Sequence, residues 1–349
     1  MPEILQTIQL KKKMMISISI LIVISLAPAA NVIHSALAQP ITATTTLSIV
    51  SSRGQFNLDT GSLKPQYTKT NYTHANVPGL DGGSKCPPQL AVYIHGVWTN
   101  EKEANEQLDR LKMSLIVDKY NIAVAGFTWD SNTDIGETGW QIAKNIADGN
   151  GPKLAHFIFD FMNKCANTQS KIRLVAHSLG AAVVRSTLIS LDKNQTWNNR
   201  GFKIASVNLL GAAIDRDSPD VNGAFGQAIE HTTDKFYNLY DPRDVMLMVD
   251  YTTSEPQDAL GLTGADSSIW PTNYTDQDVS STKMQYQDAN GTAQPDCLDY
   301  MVPWFVSPLG VVVQTDNHCG YMGFRDPFNW GLLRSDGAIG TIVTDWRLQ

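Results

Sequence analysis

Ser178 lies in the string Ile172-Arg173-Leu174-Val175-Ala176-His177-Ser178-Leu179-Gly180-Ala181-Ala182, where an apolar run of strand length gives way at once to small residues. A strand, a strained turn and a helix of this kind lift a serine hydroxyl clear of a sheet edge. The positions two before and two after it must be small because the turn crowds them. Ala176 stands where the usual pattern has glycine, a mild departure that preserves smallness. Ser-x-Gly recurs at Ser52 and Ser335, but only Ser178 has both a small residue two before it and an apolar strand leading in. The plain role of a serine at such a junction is a helix N-cap; the chemical role is a nucleophile. A hydroxyl attacks only when a base takes its proton and a carboxylate orients that base. On an elbow of this type the partners follow the serine in the order acid, then histidine. Beyond residue 38 the histidines are His74, His95, His156, His177, His231 and His318. Only His231 and His318 follow Ser178, and only His318 follows an acid placed directly after a further strand. That acid belongs to Phe236-Tyr237-Asn238-Leu239-Tyr240-Asp241-Pro242-Arg243-Asp244-Val245, which leaves Asp241 and Asp244 as alternatives.

Acyl transfer also needs two backbone N–H donors for the oxyanion. Leu179, directly after the nucleophile, supplies one. The other is expected at Val97, from Ala91-Val92-Tyr93-Ile94-His95-Gly96-Val97, a buried strand followed by a glycine that permits close backbone approach. His95 is read as holding that loop by hydrogen bonding, and His177 as a packing residue. Asp215, Asp217 and Asp220 form a loose acidic group that could attract calcium, but a solvated loop is the simpler account. Neither a metal nor an organic cofactor is expected.

The elements that must position these residues are visible in the apolar pattern. Strand-length apolar runs occur at 90–94, 122–129, 172–176, 202–210 and 235–240, and most are separated by helical patterns. Ala104, Leu108, Leu111 and Leu115 form one apolar helix side, opened by a capping-box pair at Asn100 and Glu103. A second helix is expected over 139–165 and a third just after Ser178. Continuous apolar strands alternating with helices indicate a mostly parallel sheet covered on both faces, so the fold class is α/β. Residues 41–50 are β-branched and read as a strand, followed by a Gly/Asn/Pro-rich stretch up to 88. Residues 251–300 break the rhythm, being rich in Thr, Ser, Asp, Gln and Gly, and are expected to form a polar insertion.

The chain has 349 residues, 27 basic and 34 acidic, with 17% charged residues against roughly 25% for an average soluble protein. With no basic stretch beyond the first residues, nucleic acid is not an expected partner. Three lysines at 11–13, an uncharged run over 14–30 and Ala36-Leu37-Ala38 have the layout of a secretory signal peptide cleaved before Gln39. Removal of 1–38 leaves 24 basic and 33 acidic side chains, a net charge of −9, on a secreted or cell-surface protein. Residues 39–88 are read as an N-terminal extension and 89–349 as the main domain. Export permits disulfides among Cys86, Cys165, Cys297 and Cys319, and Asn71, Asn194, Asn273 and Asn290 are glycosylation sequons.

Taken together, these segments resemble the α/β-hydrolase superfamily, in particular its secreted lipase- and esterase-like members, over about 89–324. The resemblance rests on Tyr93-Ile94-His95-Gly96, Phe127-Thr128-Trp129, Ala176-His177-Ser178-Leu179-Gly180, Leu209-Leu210-Gly211-Ala212-Ala213-Ile214-Asp215, Tyr240-Asp241-Pro242-Arg243-Asp244-Val245-Met246-Leu247 and Asp316-Asn317-His318-Cys319-Gly320-Tyr321. It implies a serine hydrolase of carboxylic esters with small-molecule or lipid substrates, and it matches Asp244 rather than Asp241 to the acid, giving Ser178, Asp244 and His318. It further implies neighbouring strands ending at Ile94 and Ala176, hence a Cys86 bond to Cys165 opposite the active site, with Cys297 left to pair with Cys319. The expected alternatives are a peptidase, amidase or acyltransferase with the same triad, and a non-catalytic surface protein binding lipid or glycan in the same cleft.

Overall fold

The computed structural model describes residues 46–244, 246–266, 269–281, 318, 320–322, 324–326, 329–335 and 337–349. Eight strands form one sheet in the order β2-β1-β4-β3-β5-β6-β7-β8. They are β1 (Ile49–Ser51), β2 (Thr73–Ala75), β3 (Gln89–Ile94), β4 (Ala123–Thr128), β5 (Lys171–His177), β6 (Ser206–Leu210), β7 (Phe236–Tyr240) and β8 (Tyr274–Asp278). Every pairing is parallel except β1 with β2 at one edge. Among the described residues the α-helices of five residues or more are α1 (Glu101–Val117), α2 (Glu137–Lys164), α3 (Gly180–Asp192), α4 (Gln195–Asn199), α5 (Ala224–Thr232) and α6 (Ile339–Arg347). Phe324–Asp326 and Asn329–Ser335 pair apart from the main sheet.

Alternation along the strands explains why both faces are covered. Leu90, Val92 and Ile94 of β3 pack into the cluster that holds Phe157, Ile158 and Phe161 of α2 and Val183, Val184 and Leu188 of α3. Ala91 and Tyr93 point the other way, into the cluster of Leu108, Leu111 and Leu115 of α1 with Ile339, Ile342 and Trp346 of α6. A strand buried on both sides is mostly apolar, which is why the central strands read as largely apolar runs, and the buried polar residues in them, such as Arg173 and Asn238, are hydrogen-bonded. The capping box of α1 is formed: Asn100 accepts from the Glu103 amide and Glu103 accepts from the Asn100 amide. This is the α/β-hydrolase fold.

Three boundaries differ from the sequence expectation. The described part of the first β-branched stretch is strand only over Ile49–Ser51, yet it joins the main sheet beside β4. The run at 202–210 becomes strand only from Ser206, because Phe202 packs edge-on to Trp197 at 5.4 Å and belongs to the α4 corner. Within 251–300, Tyr274–Asp278 adds β8 alongside β7. Residues 1–38, Cys297, Cys319 and Asn290 lie outside the described residues.

Cys86 and Cys165 are bonded, with Cα atoms 5.7 Å apart. They precede β3 and β5 respectively, so the bridge sits at the end of the sheet opposite Ser178. Among the sequons, Asn71 is exposed and Asn194 half-buried, whereas the Asn273 side-chain amide donates to Ile229 O, Thr233 O and Thr233 Oγ1 at 2.8 to 3.0 Å. In the folded chain that nitrogen is not available to a glycan.

Candidate active site

The residues singled out in the sequence come together at the carboxyl ends of β3, β5 and β7. Ser178 follows β5 with φ of 54°, the left-handed conformation a strand-to-helix elbow imposes. Its amide donates to Leu210 O at 3.0 Å, and its carbonyl accepts from the Ala181 and Ala213 amides at 3.0 and 3.1 Å. The turn is therefore gripped from β6 as well as from within. A Cβ on Gly180 would fall 2.7 Å from Ile94 O and 2.8 Å from His95 O, so the glycine two after the serine is required by the approach of β3. Ala176, two before it, is fully buried with its methyl accommodated in the core, which is why alanine serves there.

His318 donates from Nδ1 to Asp244 Oδ2 at 2.7 Å, leaving Nε2 as the nitrogen available for proton transfer. Asp244 is fully buried and multiply held: the Tyr321 hydroxyl donates to Oδ2 at 3.1 Å and the Leu247 amide to Oδ1 at 3.2 Å. The competing acid, Asp241, turns back on its own loop, its Oδ1 accepting from the Arg243 amide at 2.9 Å and Arg243 Nε at 3.4 Å. It is Asp244 that the structure brings to His318. His177, whose ring centroid is 4.7 Å from that of His318, donates from Nε2 to His318 O at 2.8 Å. Burial drives the His177 pKa down to about 3, with His318 nearby adding to the shift, so His177 stays neutral. It acts as a strut beneath the His318 backbone.

Val97, Ser178 and His318 line one cleft of about 300 Å³, whose apolar walls include Trp98, Trp140, Leu247 and Tyr251. Among the described residues neither the Val97 nor the Leu179 amide donates to a protein acceptor. Both are thus available to a ligand oxygen. Trp98 is held at φ of 51° by a bond from its amide to Ser131 O at 2.8 Å, an unusual conformation for so bulky a residue beside a site. The far wall is tethered by groups that sequence reasoning missed. Glu255 accepts from Trp140 Nε1 at 2.6 Å and from Lys144 Nζ at 2.5 Å, and Tyr251 donates to Asp215 at 2.6 Å. The two Glu255 bonds join α2 to 247–255 across more than a hundred residues of chain, Tyr251 ties the same segment to the loop after β6, and no local pattern announces either. Asp215 is thereby engaged by a phenol, Asp217 by Gln257 and Asp220 by Asn222, so the three acids face different partners. No group of metal-ligating side chains occurs among the described residues.

The described residues 84–211 match the family described as "Putative serine esterase (DUF676)". That span carries the elbow and the His95-Gly96-Val97 loop and stops before Asp244 and His318. No curated protein matches the chain in sequence. Similar solved structures include a cutinase from Trichoderma reesei in complex with a phosphonate inhibitor, 14% identical, spanning 51% of this chain and 70% of its own with a TM-score of 0.30. Others are a poly(3-hydroxybutyrate) depolymerase from Bordetella parapertussis, at 10% identity, 56% and 74% coverage and a TM-score of 0.37, and an esterase from Pyrococcus furiosus, at 11%, 54%, 70% and 0.31. By its sheet order and elbow the chain has the α/β-hydrolase fold, and over residues 84–211 it is similar to the family described as putative serine esterases.

Proposed function

We propose that this protein is a secreted serine hydrolase that cleaves carboxylic esters through an acyl-enzyme. The observation that carries the reading is the 2.7 Å bond between Asp244 and His318 beside the cleft that the strained Ser178 and His318 both line. His318 Nε2 takes the Ser178 proton as Oγ attacks the carbonyl carbon, and the Val97 and Leu179 amides bind the oxyanion of the tetrahedral intermediate. His318 then protonates the departing alcohol oxygen. Water, deprotonated by the same nitrogen, attacks the acyl carbon, and collapse of the second intermediate returns the proton to Ser178 and releases the acid. Asp244 keeps the imidazole in one tautomer and stabilises its cation. Neither a metal nor an organic cofactor enters this cycle. Export is supported by the signal-peptide layout of the first 38 residues and by the Cys86–Cys165 bond, since disulfides persist in oxidising compartments.

The substrates are small or lipid esters, and the cleft bounds the part that must fit. At roughly 30 Å³ per water-sized group, its volume of about 300 Å³ holds on the order of ten such groups. That favours an acyl chain of a few carbons against Trp98 and Trp140, with any longer portion leaving past Ile135, which is 65% exposed.

A fluorophosphonate probe tests the mechanism: it should label Ser178 in the folded protein and fail on Ser178→Ala, whose kcat should fall by roughly 10⁵ to 10⁶. Undiminished labelling of that variant would overturn the assignment. Rates on p-nitrophenyl esters should peak at short chains and shift to longer ones in Trp98→Ala; a profile rising steadily to long chains in the native protein refutes the size argument.

A further inference from the structure

We propose that Arg53, on the N-terminal extension and outside the segment that matches the esterase family, is a positioning residue that sets the direction of the Val97 amide in the oxyanion hole. This inference rests on the esterase reading for its consequence in turnover, but its geometry stands independently.

The chain of bonds runs through His95. The Trp129 backbone amide donates to His95 Nε2 at 3.1 Å, and an amide can only donate, so Nε2 carries no proton. The Arg53 guanidinium, likewise only a donor, presents Nη2 to the same nitrogen at 3.2 Å. The ring proton therefore lies on Nδ1, which donates to Gly96 O at 2.9 Å. Gly96 O and the Val97 N–H belong to one peptide unit, and in a trans unit they point in opposite directions; there are no cis peptide bonds among the described residues. Fixing the carbonyl toward His95 thus turns the amide away from it. Gly96 lies against Ser178, since a Cβ on it would come within 2.8 Å of Ser178 Cβ, and Val97 lines the cleft with the serine.

Arg53 clamps this arrangement from above. Its Nη2 also donates to Thr99 O at 3.0 Å, its Nε donates to Thr128 Oγ1, and the His95 ring is stacked on Trp129 with planes 5° apart. One planar fork therefore spans the end of β4, the ring of His95 and the backbone after Val97, a geometry lysine does not reproduce. The extension is anchored for the purpose: the Gly54 and Phe56 amides donate to the two oxygens of Asp130 at 2.8 and 2.9 Å. The cation beside His95 also opposes its protonation, in the same direction as burial.

Arg53→Gln tests the assignment, with Lys153→Met as the matched control. Lys153 fastens the same extension through Gln55 Oε1 and Thr68 O, both at 2.7 Å, but does not touch His95. On p-nitrophenyl butyrate, Arg53→Gln should lose about tenfold or more in kcat with KM within about twofold, because an oxyanion donor acts mainly in the transition state. Lys153→Met, compared at equal loss of melting temperature, should keep kcat within about threefold on the same reasoning. Native kcat in Arg53→Gln, or an equal fall in both variants, overturns the proposal. If Arg53→Gln does not fold, Thr128→Val removes only the Nε anchor and should give a smaller fall of the same kind; unchanged kcat there also overturns it. An activity-independent readout separates the two readings: the His95 Nδ1–H proton should be observable by NMR in the native protein and exchange faster in either Arg53→Gln or Thr128→Val. A native protein showing that proton but no ester turnover sinks the esterase reading and leaves the clamp standing.

Discussion

The choice between Asp244 and Asp241 gives a prediction whose size can be worked from the bonds. In Asp244→Asn one carboxylate oxygen becomes an NH2. The native group accepts at least three donors: His318 Nδ1 at 2.7 Å, the Tyr321 hydroxyl at 3.1 Å and the Leu247 amide at 3.2 Å. An asparagine presents an acceptor to only one side. If its oxygen stays with Leu247, its NH2 faces His318, which must flip its proton to Nε2 and can no longer act as base toward Ser178. If its oxygen faces His318, the NH2 confronts the Leu247 amide in a fully buried site, an unpaired donor costing about 1–3 kcal/mol. The first outcome retains more bonds, and the wrong tautomer is worth roughly 10⁴ in kcat, or about 5.4 kcal/mol of transition-state stabilisation at 1.36 kcal/mol per decade. Asp241→Asn should be mild, since its partner Arg243 is half exposed and its oxygen can still accept the Arg243 amide. Its kcat should stay within about threefold of native, consistent with a partly solvated ion pair worth less than about 1 kcal/mol. Steady-state kcat, normalised by titrating Ser178 with a fluorophosphonate, separates the variants. Asp244→Asn within tenfold of native, or Asp241→Asn falling as far, refutes the tautomer argument.

Three other outcomes follow from groups around the site. Burial lowers the pKa values of His95 and His177 to about 3, from an ordinary 6.5, so the unfolded chain binds two protons that the native state refuses. Stability is therefore lost as pH falls from 6.5 toward 3, by up to about 2.7 kcal/mol per pH unit, and urea midpoints flat between pH 6 and 4.5 would contradict it. Cutting the Cys86–Cys165 bond, which closes a loop 79 residues apart in sequence, should cost about 2–4 kcal/mol in chemical denaturation of Cys86→Ala/Cys165→Ala, with kcat unchanged because the bridge lies at the far end of the sheet. Gly211→Ala places a methyl 2.7 Å from the Tyr321 ring and 3.2 Å from His318 Cε1 at a φ of +55°, so kcat should drop about tenfold or more along with about 1–2 kcal/mol of stability; a fully active variant would show that Tyr321 does not brace the acid and base.

The parts of the fold that could be read from residues alone are those in which one local pattern has one physical use. β3 to β7 were legible because strands covered on both faces are predominantly apolar, and α1 because its cap pairs residues three apart. β8 was not legible: its sequence, Tyr-Thr-Asp-Gln-Asp, is polar, and it is held by pairing with β7 on one side only. Phe202 misled for the opposite reason, being apolar to fill the corner against Trp197 and Phe159 rather than to enter the sheet. Arg53 carries no signal in its own neighbourhood, since its partners His95, Thr99 and Thr128 are 42 to 75 residues away.

The unresolved choice of acid in the residue pattern shows where such reading stops and why. Both Asp241 and Asp244 directly follow β7, and composition cannot rank them. The distinction is made by the turn: Pro242 holds its φ near −65°, the Asp241 side chain accepts the amide two residues on, and the Asp244 amide donates to Asp241 O at 3.0 Å. This is a turn whose first carboxylate is consumed in closing it. The second carboxylate, three residues later, emerges with its own backbone satisfied and its oxygens aimed at Leu247, Tyr321 and His318. An acid spent on its own backbone cannot also serve a distant ring. It is the Asp241-Pro242-Arg243-Asp244 turn, more than the strand before it, that assigns His318 its partner, and any substitution that abolishes the turn, such as Pro242→Gly, should weaken turnover through Asp244 without altering a single atom of the acid itself.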